Sequence, residues 1–567
     1  MTFIYLAKKI SRMKKMYFMV VLLISQIAMA QVTNEATPRS WDIAFKSQLQ
    51  KVVMPSIDLQ ILEQEDALIA QGLTKPYRFG KKIPVDLNLF NSGQWTELEN
   101  GDRIWRLNIE SKGARTINFL FDRYDLPEGA EMYLYNTEHT DKIGPYTQKE
   151  NQEDGILGSW IIYGDNVWID YYEPAAVRNQ GRLSIEQVVH GYRGFGKVEN
   201  DFLKLNESGA CNVDVMCNPN QGSTNGQNWV TIRDNYRQAV ARIIINGNGL
   251  CTGTMINNVR EDATPYFYTA NHCLGASDGA SGSFNAANWV FGFEWFTTTP
   301  DCATFTNTTG PFNPTQVLSG AVLRMNHSFS DTALFQLNQS PPLAWNLYYG
   351  GWDRTTTVST AQLGVHHPSG DIMKLCRNDQ APVAQNVTIG GVTAQTWAIA
   401  DWDYGVTEGG SSGSCLINTN GHMIGELYGG AAACSGTGDN GQPDFYGRMS
   451  TAWNGGGTAA TRLSSWLDPD STAANTLNGA FYNILNNDDM VAALSIKIYP
   501  NPSTGFVHVI LESPSSYSIY DLSGKLIRKG SFDQIENQLN IKDLSNGIYF
   551  LKVQDGNRTV TEKISKI

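Results

Sequence analysis

Three residues of the types that hydrolyse amide bonds stand far apart in this sequence, each in a suitable local setting. His272 directly follows a strand-like run, Asp331 introduces an apolar strand-like run, and Ser412 lies among glycines that permit a tight, exposed turn. A hydroxyl can attack an amide carbonyl when a base takes its proton and a half-buried carboxylate orients that base. We therefore predict His272 as the base, Asp331 as its orienting carboxylate and Ser412 as the nucleophile.

The glycine-rich turn also offers donors for the charge that develops on the attacked carbonyl oxygen. We predict that the N–H groups of Gly410 and Ser412 form this oxyanion hole. Each motif alone is weak, since a lone histidine is usually a surface or core residue and Gly-Ser runs are usually turns. The order histidine, aspartate, serine along a β-rich region is that of the chymotrypsin fold, and it differs from the order in subtilisin or the α/β-hydrolases.

Nearly all of residues 205–482 resembles the bacterial lysyl endopeptidases. The matching motifs are Gly209 to Cys217, Cys251-Thr252-Gly253, the loop of His272, Gly350 to Arg354, His366-His367-Pro368 and Gly405 to Ser414. The resemblance implies a two-barrel, trypsin-like domain that cleaves after lysine with the catalytic roles given above. It also implies disulfides between Cys211 and Cys434, Cys217 and Cys302, and Cys251 and Cys273.

All eight cysteines lie between residues 211 and 434. An even count in an exported chain favours disulfides, and the spacings contain no CxxC pair of the kind that binds zinc. Spacing alone leaves the pairing open. Cys376 and Cys415 fall outside the pattern of the resembling family, and we predict that they pair with each other. We predict no metal and no other cofactor, because the histidines outside the triad have no carboxylates or thiolates at ligand spacing.

Substrate choice depends on the pocket for the side chain that precedes the cleaved bond. Asp444 matches the specificity aspartate of the resembling family, and a buried carboxylate there would favour a lysine or arginine side chain. Without the resemblance, Asp444 would be an ordinary turn aspartate. The family also places a tryptophan and a histidine beside the triad; Trp402 resembles the first, and Tyr428, followed by Gly429, replaces the second. We predict that Asp444, Trp402, Tyr428 and Gly429 bind substrate.

The N-terminal part of the chain reads as a leader and a pro-domain. Basic residues, an apolar run from Met16 to Ile27 and small residues ending at Ala30 predict a signal peptide over residues 1–30. Residues 31–204 are β-rich without a chemical constellation, which indicates a pro-domain or, alternatively, a stably retained binding domain. We predict that cleavage after Lys204, by the enzyme itself, releases this region from the protease domain, residues 205–482.

After a polar linker, residues 483–492, a tail of residues 493–567 resembles the C-terminal sorting domains of the type IX secretion system. The motifs are Ile498 to Gly505, Tyr520 to Gly524 and Leu544 to Tyr549, and the turn signals between them predict a small β-sandwich. The resemblance implies export through the periplasm and outer membrane by that machinery. The product would then be secreted or held at the cell surface.

Composition excludes several other classes of protein. A net charge of −12 argues against binding nucleic acid through overall charge, and no later run is long enough to span a membrane. The expected fold is all-β. We predict an endopeptidase that acts on proteins or peptides after lysine; the alternatives are a trypsin-like protease of broader Lys/Arg or other specificity, and a secreted binding protein on an inactive protease fold.

Overall fold

The fold was determined from a computed structural model. It describes residues 36–45, 50–72, 76–193, 208–223, 225–275, 285–302, 316–482, 496–511, 514–522, 525–555 and 558–567. The predicted signal peptide and the processing sites at Ala30 and Lys204 lie outside these residues. The chain divides into two compact units, Met1–Tyr482 and Asn483–Ile567. Within the described residues, no helix has both the length and the apolar character needed to cross a membrane.

The first part of the larger unit consists of a helix, Leu59–Gly72, and two sheets. One sheet contains Val52–Val53, Gln94–Glu97, Arg103–Glu110, Glu131–Asn136, Lys142–Tyr146 and Asn166–Glu173; the other contains Gly80–Asn88, Thr116–Asp125, Leu157–Gly158, Ile162–Tyr163 and Arg182–Gly191. Short runs of aromatic and β-branched residues form these strands and bury their side chains between the sheets. The predicted β-rich character of this region is confirmed.

Two further sheets form the two barrels of the protease region, as the fold prediction required. The first contains Val240–Ile245, Gly249–Met255, Tyr266–Ala270, Val290–Phe293, Gln316–Ser319, Ala321–His327 and Thr332–Leu337, with Tyr77–Arg78 added at one strand. The second contains Val213–Asp214, Gly351–Asp353, Gln362–His366, Lys374–Asn378, Val383–Ile389, Val392–Ile399, Cys415–Asn418, His422–Gly430, Asp444–Arg448 and Thr476–Leu477. Aromatic and aliphatic side chains of both sheets share one large core.

Short helices complete this region at Val230–Tyr236, Met449–Asn454 and Ser464–Leu467. The sequence predicts one helix from about Ala459 to Leu467, but only its last turn forms. Residues 458–461 instead make a turn in which Thr461 N–H donates to the carbonyl of Thr458. Just before this turn, Gly455 and Gly457 have positive φ values, which glycine adopts readily and which do not fit a helix. The predicted stop at Asp468 is correct, since Asp468 caps the helix.

The first barrel and the N-terminal sheets share a hydrophobic core. Ile244, Leu250, Val290 and Val317 of the barrel pack into the cluster that fills the N-terminal sheets. Hydrogen bonds cross the same boundary, including one from Asn118 Nδ2 to the Gly247 carbonyl at 3.0 Å. The N-terminal region is therefore packed against the protease barrel as part of one folded unit.

Three of the four predicted disulfides are present, namely Cys211–Cys434, Cys217–Cys302 and Cys251–Cys273. The predicted pair between Cys376 and Cys415 is wrong, because both are buried free thiols. Cys376 pairs with Gly364 of the neighbouring strand, and Gly364 pairs with Leu416 of the strand on its other side. One strand therefore lies between the strands of Cys376 and Cys415. Two strand spacings are about 9.5 Å, beyond the reach of a disulfide. Cys415 also precedes Leu416 by one residue and so points to the opposite face of the sheet.

The C-terminal unit is the predicted small β-sandwich. Its strands are Lys497–Tyr499, Phe506–Ile510 and Glu536–Asn540 in one sheet, and Ser515–Asp521, Leu526–Phe532, Gly547–Asp555 and Arg558–Lys566 in the other. Alternating apolar residues such as Val507, Ile519 and Leu551 fill the space between the sheets.

Candidate active site

His272 and Asp331 meet because their strands pair side by side. Ala270, at the end of one strand, lies opposite Thr332, at the start of the next, so the residues just beyond these ends are neighbours. His272 Nδ1–H donates to Asp331 Oδ2 at 2.7 Å, and the His272 backbone N–H donates to Oδ1 at 2.9 Å. With Nδ1 protonated, Nε2 is the nitrogen left to accept a proton.

The Asp331 carboxyl is deeply buried, with 1% of the residue exposed. Burial raises its pKa, while the two N–H groups of His272 favour the ionised form and act in the opposite direction. Asp331 itself has a left-handed backbone, with φ of 54°, where it ends the turn Ser328–Ser330. Aspartate tolerates this conformation better than most residues, and the bend aims the carboxylate at the His272 loop.

The loop of Ser412 is fixed against the strand Gly249–Met255. Thr252 N–H donates to the Ser412 carbonyl at 2.8 Å, and Thr252 Oγ1 donates to the Gly410 carbonyl at 2.9 Å. Gly413 has φ of 83°, and a Cβ there would lie 2.1 Å from Thr269 Oγ1, just before the His272 turn. The loop can therefore approach the base only with glycine at this position. Within the described residues, no hydrogen bond joins the Ser412 hydroxyl to His272; such contacts commonly tighten on substrate binding.

The two amides predicted to form the oxyanion hole are left available by the turn. Gly410 has φ of 96°, a conformation that only glycine adopts readily. The neighbouring amides of Ser411 and Gly413 donate to the carbonyls of Glu408 and Leu427. Over the described parts of the chain, the N–H groups of Gly410 and Ser412 have no such acceptor, so they remain free to bind an anionic oxygen.

A buried histidine holds this turn from behind. His366 Nδ1 lies 2.8 Å from Ser411 Oγ, which also accepts a hydrogen bond from the Glu408 N–H at 3.2 Å. Burial lowers the pKa of His366 to about 3, so its ring is neutral at physiological pH. Sequence reasoning did not predict this contact, although the place of His366 before His367-Pro368 in a matching motif was a signal.

Asp444 and Ser412 both line a cavity of about 390 Å³. Asp444 Oδ2 accepts hydrogen bonds from Thr407 Oγ1 at 2.6 Å and from Trp402 Nε1 at 2.8 Å. Burial raises the pKa of the Asp444 carboxyl to about 6, and those two donors oppose the rise. The residue is thus still ionised at neutral pH and can offer a negative charge to a ligand in the cavity.

The other predicted substrate-binding residues take different places around the site. Trp402 lies behind Asp444, with its ring against Tyr446. The Tyr428 ring is 6.3 Å from the His272 ring, and its hydroxyl donates to the Val392 carbonyl at 2.6 Å, which ties the hairpin of residues 383–399 to the site. Gly429 lines the cavity.

Sequence reasoning missed a second buried carboxyl behind the triad. Glu426 is fully buried, accepts hydrogen bonds from Thr332 Oγ1 at 3.2 Å and Tyr268 Oη at 3.3 Å, and lies near Asp331. Burial first, and then the Asp331 charge, raise its pKa well above the usual range, which favours the neutral acid. An acid inside an otherwise apolar strand, Ile424 to Tyr428, was the available signal.

In the part of the chain that the structure describes, one cluster has metal-ligand residue types: Cys251, His272 and Cys273. Both cysteines are joined in a disulfide, so neither supplies the thiolate that a metal requires.

Two parts of the chain match the profiles of known families. Residues 205–447 match the family profile of the lysyl endopeptidase C-terminal domain, and residues 497–566 match that of the secretion system C-terminal sorting domain. The lysyl endopeptidase of Pseudomonas aeruginosa is 28% identical over 365 residues, which cover 60% of this chain and 72% of that protein.

Among solved structures, similar chains include a Glu endopeptidase and the secreted serine protease VesC from Vibrio cholerae. The Glu endopeptidase is 15% identical with a TM-score of 0.23, and the match covers 37% of this chain and 86% of the other. VesC is 10% identical with a TM-score of 0.27, covering 58% of this chain and 68% of the other. From the two profile matches and the curated relative, this chain is an exported serine endopeptidase, similar over residues 205–447 to the lysyl endopeptidase C-terminal domain and over residues 497–566 to a secretion-system sorting domain.

Proposed function

We propose that this endopeptidase cleaves proteins and peptides on the C-terminal side of lysine, with Ser412, His272 and Asp331 as its triad. The proposal rests on one observation: Ser412 and the buried carboxyl group of Asp444 line the same cavity. An ammonium group that reaches Asp444 would pair with an ionised carboxylate, whereas a neutral side chain would leave that charge buried and unpaired.

In the proposed mechanism, His272 Nε2 takes the proton of Ser412 as its hydroxyl attacks the carbonyl carbon. The Asp331 carboxylate, bonded to Nδ1–H, stabilises the imidazolium that results. The oxyanion binds the free amides of Gly410 and Ser412. The imidazolium then gives its proton to the leaving amine, and water releases the acyl group from Ser412 by the same route.

Sequencing the peptides from a digested protein mixture tests the specificity. We expect lysine before nearly every cut. Frequent cutting after arginine would replace the proposal with a broader Lys/Arg specificity, and frequent cutting after neutral residues would exclude Asp444 as the specificity determinant. Labelling of Ser412 by a fluorophosphonate, mapped to its peptide, tests the nucleophile independently of specificity.

We further propose the chain organisation given by the sequence: signal peptide 1–30, pro-domain 31–204, protease domain 205–482, linker 483–492 and sorting domain 493–567. The extensive packing of the N-terminal sheets on the first barrel supports a region that folds together with the protease. After cleavage at Lys204, only non-covalent contacts would then hold the N-terminal region to the protease domain. The type IX secretion machinery would recognise the tail and remove it on export.

A further inference from the structure

The segment Pro76–Arg78 of the N-terminal region forms part of the wall of the cavity beside Ser412. Pro76, Tyr77 and Arg78 line the same cavity as Ser412 and Asp444. Tyr77–Arg78 forms a short antiparallel strand on the strand Gly249–Met255, with Tyr77 opposite Leu250 and Arg78 opposite Gly249. Extended peptide ligands often bind to proteins in this way, by adding a strand to an exposed sheet edge.

The direction of this segment is that of a substrate. The strand Gly249–Met255 leads to Thr252, whose N–H binds the carbonyl of Ser412. Because the pairing is antiparallel, each step back from Arg78 through Tyr77 to Pro76 brings the chain closer to Ser412. Pro76 to Arg78 therefore occupy the side of the cleft that holds residues following a cleaved bond.

The segment is firmly held in this position. Arg78 is buried, and its guanidinium donates to Asp66 Oδ1 at 2.7 Å, to Glu65 Oε2 at 2.8 Å and to the Leu62 carbonyl at 3.1 Å, all on the helix Leu59–Gly72. Tyr77 packs against Gly409, next to the oxyanion turn, where a Cβ would lie 2.8 Å from its ring. A buried charged group with these partners resists displacement by solvent.

The bond that leads into this segment has a composition suited to an inhibitor. The residue before Pro76 in the sequence is Lys75, which lies outside the described residues, so the bond is Lys–Pro. Proline carries a ring carbon where other residues carry the amide hydrogen. If this bond were presented for cleavage, that carbon would lie on the leaving nitrogen, to which the His272 imidazolium must deliver its proton.

Resting on the proposed function, we infer that Pro76–Tyr77–Arg78 is an internal inhibitor that occupies, in substrate direction, the side of the cleft that receives residues following a cleaved bond, and that Pro76 protects it from cleavage. The partner of this protease surface in the precursor is thus a segment of the same chain. Maturation then activates the enzyme by clearing the cleft, because the turn of Ser412 already has its binding contacts in the uncut chain.

The first experiment converts the inhibitor into a substrate. Purified full-length wild type, Pro76→Ala and Pro76→Ala with Ser412→Ala are incubated and their peptides mapped by mass spectrometry. We expect a new N-terminus at residue 76 in Pro76→Ala alone, and no cut there in the other two proteins. An intact 75–76 bond in Pro76→Ala, in a preparation whose Ser412 reacts with fluorophosphonate, would overturn the inference. Failure of Ser412 to react in mature enzyme would instead contradict the proposed function.

The second experiment measures inhibition directly. The uncut chain, kept intact by Lys204→Ala in every variant, is assayed with a quenched peptide containing lysine and three following residues. Tyr77→Ala should raise the kcat/KM of the uncut chain by about tenfold or more, since it removes the ring that fills the cleft beside Gly409. Phe90→Ala, which truncates an 86% exposed ring elsewhere in the N-terminal region, is the matched control and should leave the rate unchanged. Equal rates for Tyr77→Ala and Phe90→Ala would overturn the inference.

Discussion

Replacing Asp444 by asparagine should make the protein more stable at neutral pH and less active. Burial raises the pKa of this carboxyl from its ordinary 3.8 to about 6. Each unit of difference between the folded and unfolded pKa corresponds to about 1.4 kcal/mol of stability. Ionised Asp444 therefore lowers the stability of the folded state by about 3 kcal/mol at pH 7. Asparagine keeps an oxygen for the Thr407 and Trp402 donors without the charge.

The sign of the pH dependence follows from the raised pKa. Below the unfolded pKa, Asp444 is protonated in both states and contributes no penalty. As pH rises from about 4 to 6 the unfolded chain ionises first, so the wild type loses stability relative to the variant, and above pH 6 the difference is constant. The gap in the free energy of unfolding should therefore grow by about 2 to 3 kcal/mol between pH 4 and pH 7.5.

Urea unfolding followed by tryptophan fluorescence measures this gap, with both proteins carrying Ser412→Ala to prevent self-digestion. The control is Asp403→Asn, which removes an exposed carboxylate outside the cavity. In the active background, Asp444→Asn should lower kcat/KM for a lysyl peptide by about 10²- to 10³-fold, since the substrate ammonium loses its ionic partner. A gap that is the same at both pH values, or unchanged lysine cleavage, would refute the account of Asp444.

Three further predictions concern the triad, the buried acid and the free thiols. Ser412→Ala should abolish peptide hydrolysis and maturation after Lys204; normal maturation of this variant in a protease-free host would refute self-processing. Glu426→Gln should keep kcat within about threefold, because an amide can replace a neutral acid beside Thr332. Glu426→Leu should lower kcat by about tenfold or more with KM little changed, because it leaves the donors of Thr332 and Tyr268 without an acceptor. If both variants are equally impaired, Glu426 does not act as a neutral acid. Without reductant, a thiol reagent should detect Cys376 and Cys415 only after denaturation, and detecting no thiols in the denatured chain would show that they pair.

Local features of this structure were predictable from the sequence, whereas features that depend on distant parts of the chain were not. Strand-like runs, turn residues and the setting of each motif are local properties, so the β-rich regions and the tail sandwich were predictable. The helix near Ala459 was overestimated because the local pattern did not reveal the turn at residues 458–461. The pairing of Cys376 with Cys415 failed for a different reason: strand order and the face of a side chain depend on how distant strands pair.

The sequence by itself determined which residues offer a base, an orienting carboxylate and a hydroxyl, because these properties belong to side chains and their immediate neighbours. The tertiary structure decided how these groups meet: the pairing of Ala270 with Thr332 brings His272 to Asp331, and Thr252 fixes the turn of Ser412. It also decided the roles of His366, Glu426 and Pro76–Arg78. His366 contacts Ser411, 45 residues away, and Glu426 contacts Tyr268, 158 residues away. Burial and strand register, which no local pattern encodes, set the charge of these two groups and the position of Pro76–Arg78.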